Sequence, residues 1–230
     1  GLILNRDYSS SSHLSILLVC RQFRHDFTAL AFQCTRFHIS NMYTPFTDLL
    51  RPLCDIHIRS LRKIVVVAGA KHFREMVHWV RYPWNMENLK LEELTVAMHR
   101  STYSHYPADF TTDLVGMLRR LQNVKVLKFM LNGATVKGFF KTWYNRLIGL
   151  VLKEDHFQRY DAPGAPNLED TWWTWNYDEN ARWFDLLAHT PKPVMVEGEY
   201  MEMVKPLVQK LVRDMEEEEE DHDPRVINGF

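Results

Sequence analysis

The hexapeptides Leu61–Val66, Leu91–Val96, Val124–Phe129 and Leu147–Leu152 read LRKIVV, LEELTV, VKVLKF and LIGLVL. Each has an apolar residue at its first, fourth and sixth positions, and a weaker copy, CTRFHI, lies at Cys34–Ile39. A helix-like or loop segment fills each gap between them. Because strands that alternate with helices are joined by right-handed crossovers, this order predicts a parallel sheet.

The same spacing of apolar residues is the L-x-x-L-x-L core of a leucine-rich repeat, in which every unit adds one strand to a stack. We therefore predict an α/β fold, a leucine-rich-repeat-like stack with a parallel sheet and a helical, Trp-rich C-terminal cap. In such a stack the fourth positions form a ladder of Ile64, Leu94, Leu127 and Leu150. The intervals between the repeats are irregular, so an ordinary α/β domain with parallel strands is the alternative.

Changes in composition divide the chain into four predicted parts. Residues 1–12, polar and serine-rich, form a flexible lead-in, and residues 13–153 form the repeat-like α/β domain. Residues 154–215 form a C-terminal cap that packs on it, with helices over 176–187 and 202–215, where Pro206 is tolerated only near a first turn. Residues 216–230 form an acidic tail that contributes little to folding, since consecutive glutamates repel one another.

The composition is that of a globular protein, with 46% hydrophobic and 13% aromatic residues in 230. A net charge of −1 provides no general attraction to nucleic acid or to an anionic membrane, so we expect neither as a partner. No stretch reaches the roughly 18 apolar residues of a membrane span. The three cysteines, Cys20, Cys34 and Cys54, suit free thiols in a reducing compartment, which predicts a cytoplasmic or nuclear location.

Motifs for catalysis, metals and cofactors are not found in the sequence. There is no G-x-S-x-G or G-x-G-x-x-G motif, and the closest metal-ligand pair, Cys54 and His57, has no second pair to complete it. We therefore predict no catalytic residue, no metal site and no cofactor. The alternative is an enzyme or small-ligand-binding protein with a site at the strand ends near the acidic, Trp-rich loop. A deep cavity lined by Asp155, His156 and the tryptophans would favour that alternative.

Large aromatic residues are concentrated in one short segment. Trp172, Trp173, Trp175 and Tyr177 are the predicted partner-binding residues, because Trp and Tyr dominate interface hot spots. The alternative is that these rings seal the end of the core. If the segment is extended, Trp173 and Trp175 share one side and Trp172 lies on the other, so at least one ring is expected inside and one exposed.

The segment LLVCRQFRHD at residues 17–26, followed by LAF at 30–32 and TRFHI at 35–39, resembles a block found in fungal F-box-like proteins. The resemblance covers residues 14–40, and the repeat-like strands after it are similar to those of F-box proteins with leucine-rich repeats. It implies a non-enzymatic adaptor that holds a protein partner on its repeat surface, and it carries over no functional residue. Residues 1–13 lack the leucine-proline opening and additional helix of an F-box, so we expect no docking to a ubiquitin-ligase adaptor subunit through them. The oligomeric state is left open.

Overall fold

One mixed sheet of seven strands organises the protein. The computed structural model describes residues 2–3, 20–40, 50, 53–76, 87–100, 107–134, 136, 140–168 and 171–217. The strands are β1 (Leu2–Ile3), β2 (Arg36–Ile39), β3 (Lys63–Ala68), β4 (Leu91–Met98), β5 (Val124–Met130), β6 (Trp172–Asp178) and β7 (Trp183–His189). Their order across the sheet is β1-β2-β3-β4-β5-β7-β6.

The described helices connect or follow these strands. They are α1 (Arg21–Cys34), α2 (Asp55–Ser60), α3 (Ala70–Met76), α4 (Thr111–Leu118), α5 (Phe140–His156) and α6 (Glu197–Glu216). A 3₁₀ turn at Pro107–Phe110 leads into α4, and a π-helical turn at Phe157–Asp161 extends α5. The fold is therefore mixed α/β, as the sequence predicts.

Strands β1 to β5 are parallel and lie side by side in chain order. The register places Phe37, Ile64, Leu94 and Leu127 opposite one another, and all four are buried. The predicted parallel order of the first three hexapeptides is therefore confirmed, as is their ladder from Ile64 to Leu127. Asn132 and Gly133, both with positive φ (53° and 67°), form the turn after β5.

The fourth hexapeptide is not a strand, and this prediction is wrong. Leu147–Leu152 lies in the middle of α5, where Leu147 and Ile148 are buried and Leu150 is partly buried against the core. The apolar positions 147, 148, 151 and 152 also match the spacing of one helix face. Six residues are too few to separate that pattern from a strand, and the helix is decided by the 17 residues of α5 as a whole.

The predicted helix over 176–187 is also wrong. These residues belong to a hairpin in which β6 pairs antiparallel with β7, and β7 pairs antiparallel with β5. Burial alternates in β7, with Phe184 and Leu186 inside and Asp185 between them partly exposed. The C-terminal part thus extends the sheet instead of only capping it with helices.

The helix predicted over 202–215 exists as the longer α6, and Pro206 lies inside it, not in its first turn. Pro206 is on the exposed side of α6, whereas Tyr200 and Val204 are buried. Residues 218–230, most of the predicted acidic tail, lie outside the described residues.

The N-terminal part differs in detail from its prediction. Within the segment predicted as a flexible lead-in, Leu2 and Ile3 form β1 and pair with Phe37 and His38. In α1, Phe32 is fully buried, whereas Phe27 and Leu30 are exposed. Cys20, just before α1, is exposed and accepts a hydrogen bond from the Phe23 amide.

Candidate functional site

The two faces of the sheet have different neighbours. The core contains residues of α1 to α5, together with Ile64, Leu94, Leu127 and Phe184 from the strands, and Leu211 of α6 packs against it. Side chains alternate between the faces of a sheet, so these strand residues define an inner, helix-covered face. The residues between them point to the other side, and the hydrophobic core includes none of the described ones. We call that side the outer face.

Three rows of side chains cross the outer face. The register gives the rows Arg36-Lys63-Glu93-Val126-Leu187-Thr174, His38-Val65-Thr95-Lys128-Asp185-Asn176 and Val67-Ala97-Met130-Trp183-Asp178. Val65, Thr95 and Ala97, in the centre, are buried. Accessibility is greater over β5 and β7, where six partly exposed residues form what we call the outer patch: Val126, Lys128, Met130, Trp183, Asp185 and Leu187.

The outer patch combines an aromatic ring with a charged pair. The Lys128 ammonium lies 3.3 Å from the centre of the Trp183 ring, a cation–π contact, and Asp185 is opposite Lys128 in the register. Burial raises the pKa of the Asp185 carboxyl, Lys128 opposes that rise, and Glu93 adds to it. Farther along the first row, Arg36 forms an ion pair of 3.1 Å with Glu93. Apolar surface beside fixed charges is the composition expected at a protein–protein interface.

The predicted partner-binding residues lie against the core or around a cavity next to it. Trp173, Trp175 and Tyr177 point to the inner face. Trp173 and Trp175 therefore lie on the same side of the strand, as alternation predicts. Trp173 is buried and its indole N–H donates to the Leu118 carbonyl at 2.9 Å, while Tyr177 packs against Tyr144 with ring centres 5.0 Å apart. Trp172, expected to be exposed on the other side, is instead partly buried and lines one cavity together with Trp173 and Trp175.

A small cavity lies between β6 and the helices α4 and α5. Its volume is about 40 Å³, and its walls include Val115, Leu118, Val151, Leu152, Trp172, Trp173 and Trp175. The ion pair between Arg119 and Glu154, 2.8 Å long, is part of the same lining. Sites for drug-sized molecules occupy roughly 300–1,000 Å³. The cavity is therefore the size of one aliphatic side chain rather than of a substrate.

A buried charged cluster lies next to this cavity. Asp155 accepts hydrogen bonds from Arg159 at 2.9 Å, Lys192 at 2.8 Å and the Tyr200 hydroxyl at 2.5 Å. Burial opposes the ionisation of Asp155, but the donors Lys192, Tyr200 and Arg159 outweigh it and hold the pKa of the carboxyl below its usual value. Burial also lowers the pKa of Lys192, against the opposing effect of Asp155.

This cluster connects three segments of the chain. Asp155 is in α5, Lys192 lies between β7 and α6, and Tyr200 is in α6. The Lys192 ammonium also lies 3.2 Å from the centre of the Trp172 ring. All polar atoms of Asp155 are engaged within the protein, so the cluster is explained as a structural connection. His156 is not in the cavity lining; it contacts Asp161 and Glu197.

Among the described residues no group of three or more His, Cys, Asp or Glu side chains is arranged to hold a metal ion. The described helices include none that is both long and apolar enough to cross a membrane. Comparisons of the chain with protein-family models, with curated proteins and with solved structures find no match.

Sequence reasoning missed Trp183, Met130 and Lys128 as candidate site residues. The signal was present in part, because in the segment WFDLLAH at 183–189 the polar Asp185 lies between the apolar Phe184 and Leu186. Read as a helix, it places Trp183 and Phe184 on one face, whereas the strand directs them to opposite faces of the sheet. The pairing of β7 with β5 is what brings Trp183 beside Met130.

Proposed function

We propose that this protein is a non-enzymatic protein-interaction domain, an adaptor or recognition module, which binds a protein partner through the outer patch. The observation that carries the proposal is the partial exposure of the outer patch over β5 and β7, where Met130 and Trp183 lie side by side on the face opposite the hydrophobic core. A partly buried Trp fixed by a neighbouring Lys needs little further ordering on binding, which is typical of an interface anchor.

The size of the cavity supports this function over a small-ligand site. A volume of about 40 Å³ is well below that of ordinary ligand sites. Of the two acidic residues in its lining, Asp155 already accepts three hydrogen bonds from the protein, and Glu154 is paired with Arg119. In contrast, the outer patch is broad and spans two strands, as a surface for a macromolecule requires.

The finer description of the fold belongs to the same proposal. We infer that β2 to β5 form a leucine-rich-repeat-like stack, since their equivalent apolar positions are in register and their strands run parallel in chain order. In such stacks the strand face that the helices do not cover is a frequent binding surface. The fungal F-box-like resemblance is compatible with that role and remains a prediction, as does a cytoplasmic or nuclear location.

A site-specific cross-linking experiment tests the outer patch. A photoactivatable phenylalanine analogue replaces Met130 in the full chain, which is expressed in its native cells, and cross-linked proteins are identified by mass spectrometry. We expect one dominant partner protein whose capture is lost when the same chain also carries Trp183→Ala. The matched control carries the analogue at Phe157, an exposed aromatic residue after α5.

The captured partner is then measured directly. Trp183→Ala should weaken its binding by more than tenfold, equivalent to about 1.4 kcal/mol, while Phe157→Ala leaves it unchanged. Equal capture from positions 130 and 157, or wild-type affinity in folded Trp183→Ala, contradicts binding through the outer patch.

A further inference from the structure

The outer edge of β6 has a row of backbone groups with no strand beside it among the described residues. β6 is the last strand in the sheet order, and β7 pairs with its inner edge. No backbone hydrogen bond from another described segment reaches Trp173, Trp175 or Tyr177. A free strand edge is a template for another extended chain.

The hydrogen-bond register decides which residues of β6 direct their backbone outward. The Leu131 amide donates to the Arg182 carbonyl at 3.0 Å, which places Phe184 and Phe129 as a hydrogen-bonded pair between β7 and β5. The alternate residues of β7, Trp183, Asp185 and Leu187, then turn their backbone groups toward β6. Their partners there are Asp178, Asn176 and Thr174. Trp173, Trp175 and Tyr177 are left with N–H and C=O groups directed away from the sheet.

The side chains of β6 do not protect this edge. Natural edge strands are usually blocked by Lys, Pro, a bulge or a charge in the middle of the strand. The sequence WWTWNYD has one charged residue, Asp178, at its very end, and its pairing with β7 is continuous over all seven residues. An unprotected edge with four aromatic residues is the arrangement that strand addition uses.

The cavity beside β6 limits what the added strand contains. Trp172, Trp173 and Trp175 line it together with aliphatic residues of α4 and α5. Arg119 and Glu154 neutralise each other in the lining, so the cavity favours an uncharged aliphatic side chain. A second copy of this chain pairing through β6 would instead present its own indole rings, which are too large for about 40 Å³.

We propose that the free edge of β6 binds an extended segment of a protein partner as an eighth strand, with one aliphatic side chain of that segment in the cavity between α4, α5 and β6. The main-chain groups of Trp173, Trp175 and Tyr177 supply the hydrogen bonds, and the cavity supplies side-chain selectivity. This site is separate from the outer patch, so either one stands without the other.

Amide hydrogen exchange in the full chain tests the edge geometry. In the free protein the amides of Thr174 and Asn176 should exchange at least tenfold more slowly than those of Trp175 and Tyr177, because only the former donate to β7. The opposite order, or equally slow exchange of all four, overturns the proposal, since the outer edge would then already be occupied.

Peptide binding tests the occupant. A display library of random seven-residue linear peptides is selected for binding to the full chain. The most enriched peptide is then used as the probe. We expect it to bind wild type and Tyr177→Ala alike and Tyr177→Pro at least tenfold more weakly. Both variants lack the ring, but only proline removes the outward N–H, a change that edge strands tolerate. On wild type, the peptide should slow exchange of the Trp175 and Tyr177 amides, a result independent of whether Tyr177→Pro folds.

Other outcomes overturn the proposal. They are the absence of any enriched peptide, equal binding to the Pro and Ala variants when both are folded, and unchanged amide exchange at β6 on saturation. Binding that is lost in Trp183→Ala but kept in Tyr177→Pro moves the peptide to the outer patch, which leaves the proposed function intact. A concentration-dependent dimer of wild type that Tyr177→Pro abolishes identifies a second copy as the occupant instead.

Discussion

The parallel strands β2–β5 and the antiparallel hairpin β6–β7 belong to one sheet, yet they distribute their buried residues differently. In β4, Leu94 to Met98 are buried without interruption, and Ile64 to Val66 are buried in β3. In β7 the buried residues alternate with partly exposed ones. Strands in the centre of a sheet are covered on both faces, whereas the hairpin is covered on its inner face alone. The accessible surface for a partner therefore lies on the hairpin side.

The two regions are also stabilised in different ways. The parallel strands depend on an apolar ladder, Phe37-Ile64-Leu94-Leu127, which continues to Leu186 of β7. The C-terminal segments, by contrast, are tied to α5 through the charged cluster around Asp155. The difference predicts that apolar truncation will affect the first region most strongly, and removal of one buried charge the second.

The largest effect is expected from Asp155→Ala. The substitution leaves Lys192 and Arg159 buried without their carboxylate, and breaking a buried ion pair in this way costs about 3–5 kcal/mol. Denaturant unfolding measures the loss. Asp161→Ala is the matched control, because its carboxyl is 60% exposed and should change the unfolding free energy by less than about 1 kcal/mol. Equal effects at the two positions would show that the cluster is not a structural connection.

Leu127→Ala tests the apolar ladder. Leu127 is fully buried between Leu94 and Leu186, so we expect a loss of about 2–5 kcal/mol from the lost transfer energy and the new cavity. The control is Leu150→Ala in α5, which removes the same atoms from a partly exposed position and should cost clearly less. If Leu150→Ala were as costly as Leu127→Ala, the assignment of residue 150 to a half-buried helix position would be contradicted.

A smaller effect is expected from Trp173→Phe. It removes the indole donor to the Leu118 carbonyl, which joins the hairpin to α4, but it keeps an aromatic ring in the core. A buried acceptor without its donor costs about 1–3 kcal/mol. The control is Trp175→Phe, because the Trp175 indole donates no described hydrogen bond. Comparing the melting temperatures of the two variants separates the loss of the hydrogen bond from the change in ring packing. Equal melting temperatures for the two variants would argue against the Leu118 contact.

The smallest expected effect is the acid dependence of the Asp155 cluster. The pKa of Asp155 is lower in the folded protein than its usual value of about 3.9 in an unfolded chain. Its contribution is therefore complete above about pH 4 and is lost as the pH falls through the folded pKa. The difference in unfolding free energy between wild type and Asp155→Asn should be constant from pH 5 to 7 and shrink below pH 4. A difference that grows on acidification would mean that the sign of the shift is wrong.

Particular residues show where sequence reasoning succeeded. The β-branched run at 64–67 and the alternation in 91–96 and 124–129 identify strands whatever their neighbours, because those patterns match a pleated, buried surface. The fourth hexapeptide, at 147–152, satisfies the same six positions but continues a helical pattern that begins at Phe140. Short apolar runs are ambiguous in this way, and only the longer segment resolves them.

The candidate site was partly predictable. Alternation placed Trp173 and Trp175 on one side, and both pack against the core. Trp172, expected opposite them, lines the same cavity as they do. Alternation could not reveal which side faces the helices, nor that Lys128 lies over Trp183, since 55 residues of chain separate that pair. The link from Asp155 to Lys192 and Tyr200 likewise carries no local signal, because each residue is unremarkable within its own segment.

The periodicity of the chain was therefore sufficient for the α/β class, the parallel strands and the ladder through Ile64, Leu94 and Leu127, because each follows from the local fit of apolar side chains to a strand. The hairpin direction, the exposure of the outer patch, the outward edge of β6 and the cavity depended on which segments meet in space. These features are set by non-local pairing and packing, where the energy of burying a helix or strand face overrides local preference.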